Sequence, residues 1–418
     1  MKKILFYSAA MALLSSFMIA VGGCKQGAQN QENQAITEEA ERLYSEGIDK
    51  GIEKIMNELD VIGLGVAVVR GGELVYKNNW GYKNLESKTP LAEDDLYRIA
   101  SISKSFTAAS LMQLAERGEL DLNADVSDLV GFKVRNPHYP EVKITPYMLL
   151  THTSSLNDNG GYFKLDVINP EVNGDFAKSY NNYRPGTKYE YCNLGFNTLG
   201  TILERVSKIR FDEYVKSNVL KPLGLGYAGY WIESLDSTKF VTLYQADKDG
   251  VMQPQPDAYA PRKEEIANYK FGYSTPIFSP TGGMKINPVG LARVMQMHMG
   301  LGTTPDGVKI IAPQSAMLMQ SRLVETDDYP SDDYKHKVYY GFALETATTL
   351  IPGKTMIGHT GSAYGAYTSM FWNDQRTFGI VIMTNGCKDS REQGFMAIHR
   401  RVANCLYQNL IKGTVEDC

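Results

Sequence analysis

Histidine and cysteine are scarce in this sequence, with six and five copies among its 418 residues. The histidines are scattered and no H-E-x-x-H pair occurs, so a zinc protease centre is not expected. No two cysteines form a C-x-x-C pair, which argues against zinc-finger and thioredoxin patterns. We therefore expect neither a metal nor a cofactor.

The sequence also lacks a concentration of positive charge, because its formal net charge is −4 and no long basic run appears. Nucleic acid is therefore not an expected partner. No G-x-S-x-G elbow is present, which argues against an α/β-hydrolase. One G-x-G-x-x-G match, from Gly224 to Gly229, directly follows Lys221 and Pro222 rather than a buried strand, so it predicts a loop.

The N-terminal segment has the pattern of an export signal. Two lysines at positions 2 and 3 precede an apolar run from Ile4 to about Val21, and Gly22-Gly23-Cys24 follows. Small residues directly before a cysteine resemble the lipobox of bacterial lipoproteins, in which that cysteine is acylated. The alternatives are an uncleaved membrane anchor and a plain secretory signal. We expect a signal peptide over residues 1–23, lipid on Cys24, a solvated tether over residues 24–36, and a protein held at the cell envelope.

Export would permit disulfides, and four cysteines remain after the lipidation site. They are Cys192, Cys387, Cys405 and Cys418. A bond among the three C-terminal ones is favoured, but the sequence leaves the connectivity open.

Apolar periodicity outlines a fold with strands near both chain ends. Helical spacing occurs from Thr37 to Leu59, Ser103 to Glu116, Gly195 to Ser207 and Phe395 to Leu410. Strand patterns occur at Leu64–Val69, Leu74–Tyr76, Val338–Leu344, Tyr367–Trp372 and Phe378–Thr384. The predicted class is α+β, with three α/β/α layers, an antiparallel sheet built from both chain ends and an inserted, mainly helical lobe. Within the domain at 37–418, the sheet lobe is expected at about 37–120 and 282–418, and the helical lobe at about 121–281.

One S-x-x-K motif, Ser101 to Lys104, lies where an extended segment becomes an apolar helix. Residues three apart share a helix face, so Lys104 can reach the Ser101 hydroxyl. The helix start offers free backbone N–H groups for an oxyanion, and burial would lower the lysine pKa. A capped helix with a surface lysine explains the motif equally well.

Two further motifs follow in the chain. Tyr191-Cys192-Asn193 opens a helix, although Y-x-N also occurs at four other tyrosines and is weak alone. Gly358-His359-Thr360-Gly361-Ser362 is expected just before a strand. In this order and at these separations, the three motifs resemble the signatures of class C β-lactamases and their penicillin-binding, DD-peptidase and esterase relatives. The similarity covers about residues 55–410 and includes the phrase Leu149 to Ser154.

The resemblance implies a role for each matching residue. Ser101 matches the acylated nucleophile, Lys104 its proton acceptor, and Tyr191 the residue that acts as base or as acid toward the leaving group. Asn193 matches the residue that binds the substrate amide and the lysine. The backbone N–H groups of Ser101 and Ser362 match the oxyanion hole. His359, Thr360 and Gly361 occupy the third motif, where class C β-lactamases carry lysine in place of the histidine.

These roles predict a serine hydrolase that cleaves an amide or ester through an acyl-enzyme. Candidate substrates are small molecules or peptides, including D-Ala-type peptides, small esters and, slowly, β-lactams. An acyltransferase and a non-catalytic penicillin-binding or sensing module are the alternatives. Lys104 and His359 are the cations expected to support a Tyr191 phenolate. His152 is expected to be structural.

Overall fold

The computed structural model describes residues 46–326 and 338–413. Residues 46–58 form helix α1. The other helices are α2 (Ser103–Glu116), α3 (Val126–Val130), α4 (Pro146–Leu150), α5 (Asn193–Ser207), α6 (Phe211–Val215), α7 (Lys263–Ala267), α8 (Pro288–Met299), α9 (Pro313–Met319) and α10 (Ala397–Leu406). The signal, Cys24 and the tether lie outside the described residues. No helix in the described ranges is long and apolar enough to cross a membrane.

The strands are distributed along the whole described part of the chain. They are β1 (Gly63–Arg70), β2 (Glu73–Asn84), β3 (Thr89–Pro90), β4 (Tyr97–Arg98), β5 (Tyr244–Ala246), β6 (Met252–Pro254), β7 (Lys285–Ile286), β8 (Val324–Thr326), β9 (Val338–Tyr340), β10 (Glu345–Ala347), β11 (Met356–Ala363), β12 (Ala366–Asn373), β13 (Phe378–Thr384), β14 (Arg391–Glu392) and β15 (Phe395–Met396). Among the described residues, one sheet has the antiparallel order β3-β2-β1-β13-β12-β11-β10-β9-β8. The predicted α+β class and the sheet assembled from both chain ends are confirmed.

The central strands are apolar on both faces because helices cover both sides of the sheet. Along β1, Leu64, Val66 and Val68 pack in one core with apolar residues of α1 and α10. The alternating residues Ala67 and Val69 belong to the second core, together with residues of α2, α5 and α8. This period of two places one helical layer on each face and gives the predicted three-layer arrangement.

Three predicted elements differ from the structure in their detail. The strand expected over Val338–Leu344 ends at Tyr340 as β9. Residues 341–344, in which Ala343 has a positive φ of 61°, turn the chain into β10. Phe395 belongs to strand β15, so the last helix begins at Ala397. The third motif lies just before strand β12, as expected, but it also forms part of a strand of its own, β11. The lobe boundaries stay a prediction.

Candidate active site

Six of the predicted site residues line one cleft of about 630 Å³. They are Ser101, Tyr191, Asn193, His359, Thr360 and Ser362. Lys104 lies buried against Ser101 and Asn193. Gly361 faces away from the opening, toward the backbone of Ile99. The folded chain thus brings together residues from the start of α2, the start of α5 and strand β11.

Ser101 lies in a 3-10 turn, Ala100–Ile102, that leads directly into α2. Ala100 has a positive φ of 46°, a backbone region that is unfavourable for a residue with a side chain. The sharp turn leaves Ser101 partly exposed while α2 itself is buried almost throughout. Such strain is often found at functional positions.

Lys104 is fully buried, and its ammonium group has three acceptors. Nζ donates to Ser101 Oγ at 3.0 Å, to Asn193 Oδ1 at 2.9 Å and to the carbonyl oxygen of Thr281 at 3.2 Å. Burial lowers the pKa of Lys104 to about 7, while the charge of Asp158 acts in the opposite direction. Lys104 can therefore exchange a proton near neutral pH, as a surface lysine could not.

The ring of Tyr191 lies between Lys104 and two histidines. Lys104 Nζ is 4.6 Å from the ring centroid. The His152 ring is 4.4 Å from it and the His359 ring 6.2 Å. The Cys192 backbone N–H also donates to His152 Nδ1 at 3.1 Å. His152 therefore holds both the ring and the backbone of the second motif.

The surroundings of His359 favour the neutral ring over the expected cation beside Tyr191. Nδ1 must carry a hydrogen because its partner is the carbonyl oxygen of Thr360, which can only accept. In the neutral ring, Nε2 then accepts from the Tyr340 hydroxyl at 3.1 Å. Burial, followed by the nearby Lys104 charge, lowers the pKa of His359 to about 3.

Asn193 is the first residue of α5, and its amide has defined partners at both ends. Oδ1 accepts from Lys104 Nζ at 2.9 Å and from Thr281 Oγ1 at 2.8 Å, while Nδ2 donates to Asp158 Oδ2 at 2.8 Å. Asp158 is not among the site residues predicted from the motifs. It lies four residues beyond the recognised phrase that ends at Ser154, and nothing in its local pattern marks it.

None of the three cysteines in the described ranges lines the cleft. Cys192 and Cys387 are free and buried. Cys405 is disulfide-bonded, and its partner lies outside the described residues. Burial raises the pKa of the Cys192 thiol well above its usual value, so this thiol is protonated at neutral pH.

Comparison with known proteins matches this arrangement to one family. The model of the family described as Beta-lactamase matches residues 48–403. Protein flp of Staphylococcus aureus (strain MRSA252) is 26% identical over 360 residues, which are 81% of this chain and 62% of that protein. Esterase EstB of Burkholderia gladioli is 28% identical over 235 residues, 51% of this chain and 59% of that protein. The chain thus spans less than two thirds of the length of these relatives.

Solved structures agree on the fold. The octameric penicillin-binding protein homologue from Pyrococcus abyssi superimposes with a TM-score of 0.67 at 25% identity, over 88% of this chain and 77% of that one. EstCE1, described as a hydrolase with promiscuous acyltransferase activity, gives a TM-score of 0.68 at 20% identity, over 87% and 99% of the two chains. Because the family match covers most of its length, this chain belongs to the β-lactamase family of serine hydrolases.

Proposed function

We propose that this protein cleaves an amide or ester through an acyl-enzyme on Ser101. The observation that carries the proposal is the 3.0 Å contact between Ser101 Oγ and a fully buried Lys104. The Ser101 oxygen attacks the carbonyl carbon and its proton passes to Lys104. The bond to the leaving group then breaks as that group takes up a proton, and water hydrolyses the ester on Ser101.

The partners of Lys104 support the proposed direction of the proton transfer. An ammonium group has three hydrogens for its three acceptors, but the neutral amine has only two hydrogens and one lone pair. Of the three partners, the Thr281 carbonyl and the Asn193 Oδ1 can only accept. The Ser101 hydroxyl is the partner with a proton to give. Neutral Lys104 is therefore set to receive the proton of the nucleophile.

The neighbouring residues supply the remaining roles of the proposal. Tyr191 lies beside both Ser101 and Lys104 in the cleft and would hand a proton to the leaving group. Asn193, at the cleft floor, would bind the substrate amide. The backbone N–H groups of Ser101 and Ser362 would stabilise the oxyanion, typically by about 3 kcal/mol per donor.

A neutral His359 favours substrates that do not need a cation at that position. Small esters fit this chemistry best. D-Ala-type peptides that end in a carboxylate, like β-lactams, would gain no ion pair from a neutral His359 and would react more slowly. Acyl transfer to an alcohol or amine is the second candidate, because EstCE1 is described as having promiscuous acyltransferase activity. The same residues would serve both reactions. The intact set from Ser101 to His359 argues against a non-catalytic binding module.

The test is intact-mass analysis after exposure to p-nitrophenyl esters, D-alanyl peptides and a penicillin, with and without an added alcohol. We expect a covalent acyl mass on the wild type that is absent from Ser101→Ala. A new ester of the alcohol would indicate transfer, and the free acid would indicate hydrolysis. Turnover of an ester or peptide that is equal in wild type and Ser101→Ala would contradict the proposal.

A further inference from the structure

The geometry points to Asp158 as the positioning residue that orients Asn193 toward Lys104 and balances the charge of the buried ammonium group. This inference rests on the proposed function, because it assigns Asp158 a part in preparing Lys104 for proton transfer. Asp158 does not itself line the cleft, and it reaches the site through its hydrogen bonds to Asn193.

Asp158 caps helix α5 from a distant loop. The residue at the cap position, Cys192, makes no capping bond with its own side chain. Asp158 replaces that cap by accepting from the backbone N–H groups of Asn193 and Leu194 at 3.0 and 2.9 Å. The Cys192 thiol adds a contact of 3.4 Å. A carboxylate at the positive end of a helix is stabilised by the helix dipole.

The same carboxylate decides which way the Asn193 amide points. Nδ2 donates to Asp158 Oδ2 at 2.8 Å, so Oδ1 must face Lys104 and Thr281. If the amide turned over, its NH₂ group would face the Lys104 ammonium and the Thr281 hydroxyl, and its oxygen would face a carboxylate. Both ends would then be mismatched, at the cost of at least two hydrogen bonds.

Within the part of the chain that the structure describes, Asp158 is the carboxylate whose charge acts on Lys104. The other titratable groups around Lys104 are Tyr191 and Cys192, which precede α5, His152 from the loop after α4, and His359 from β11. Burial lowers the pKa of both histidines below neutral and raises the pKa of the Cys192 thiol. A single amide therefore separates the buried cation from its counter-charge.

The variant Asp158→Asn keeps the size of the side chain and removes its charge. A nearby negative charge favours the protonated lysine, so its loss lowers the pKa of Lys104. In the pH profile of kcat/KM for a neutral ester, the fall on the acid side is called the acid limb. We expect the midpoint of this limb to move to lower pH by about 0.5 unit or more. The plateau, which is the maximal kcat/KM above this limb, should fall by about tenfold or more, because Asp158 no longer holds the Asn193 amide in one orientation.

Asp125→Asn is the matched control. Asp125 also caps a helix, α3, but its partners Ser127 and Arg135 are not cleft residues. It should lower the melting temperature without moving the acid limb. If Asp158 were purely structural, Asp158→Asn would behave like this control. The same acid limb and the same plateau of kcat/KM in Asp158→Asn and Asp125→Asn would therefore overturn the inference.

A charge-preserving variant covers the case in which Asp158→Asn does not fold. Asp158→Glu should keep the wild-type midpoint of the acid limb but lower the plateau, because the longer side chain misplaces the amide. A wild-type plateau in this variant would overturn the inference. Failure of the proposed function has a different signature, since the wild type itself would then form no adduct on Ser101.

Discussion

At the scale of single residues, the burial of Lys104 determines its protonation state. A charged ammonium group is costly to bury, and that cost favours the neutral amine. Its three hydrogen bonds and the nearby Asp158 favour the charged form, and the balance leaves the pKa of Lys104 at about 7. Neutral pH is thus the range in which this residue changes between proton donor and proton acceptor.

The first prediction concerns the pH dependence of activity. Since neutral Lys104 is the acceptor, kcat/KM for a neutral ester should fall as pH drops through about 7. His359 cannot cause this fall of kcat/KM near pH 7, because burial lowers its pKa to about 3. Lys104→Ala should lower kcat/KM by about 100-fold or more. Rates measured from pH 4 to 9 provide the test, and a flat profile in the wild type would contradict the assignment.

Strand β11 shows how an element positions the site. An added Cβ on Gly361 would lie 2.2 Å from the carbonyl oxygen of Ile99 and 2.4 Å from Thr368 Oγ1. Only glycine therefore lets β11 approach the segment that carries Ser101. Thr368 reinforces this contact by donating to the Ile99 carbonyl at 3.0 Å.

The second prediction follows from that close approach. Gly361→Ala should push β11 away from Ser101 and lower kcat/KM by about tenfold or more, even where the protein still folds. Gly174→Ala is the control, since an added methyl group there meets no atom within 4 Å. Steady-state rates and melting temperatures of both variants decide the matter, and equal rates would show that the spacing is not needed.

At the element level, local sequence patterns predicted where helices and strands lie. They did not predict which distant segments contact each other. Helix Ser103–Glu116 and strand Phe378–Thr384 have the predicted bounds. The role of Asp158 and the charge state of His359 could not be predicted for a common reason. Burial and a partner from another segment determine both, and neither leaves a periodic signal in the sequence.

For the whole molecule, buried histidines should make stability sensitive to acid. Burial lowers the pKa of His298 and of His399 to about 4, whereas an unfolded histidine titrates near 6.5. Between these values the unfolded chain binds protons that the folded chain does not, so stability falls as pH drops from about 6.5 to 4. Each such histidine costs on the order of 3 kcal/mol across that range.

The third prediction uses His298, whose ring stacks on Trp372 with centroids 5.4 Å apart. His298→Phe should retain the stacking and lose part of the acid sensitivity. Urea unfolding at pH 7.5, 6 and 5 measures it, with a substitution of the exposed His138 as the control. The prediction fails if the free energy of unfolding declines equally with acid in wild type and His298→Phe.

The fourth prediction concerns where the molecule is held. We propose that the protein is exported and anchored by lipid on Cys24, a position outside the described residues. Cys24→Ser should then move the protein from the membrane fraction to the soluble fraction, with its activity unchanged. A wild-type protein that carries no lipid, or that fractionates as the variant does, would refute the anchor.

The central claim is that Ser101 is the nucleophile that Lys104 activates, and covalent labelling tests it most directly. Wild type, Ser101→Ala, Lys104→Ala and the control Ser105→Ala are treated with a fluorophosphonate, and the labelled peptide is identified by mass spectrometry. Ser105 is suited to this control because it is buried in the same helix, with its hydroxyl bonded to the Ile102 carbonyl. We predict a single adduct on Ser101 in the wild type and in Ser105→Ala, none in Ser101→Ala, and labelling slowed by about 100-fold or more in Lys104→Ala. An adduct on another residue, or labelling of Ser101→Ala at the wild-type rate, would contradict the account.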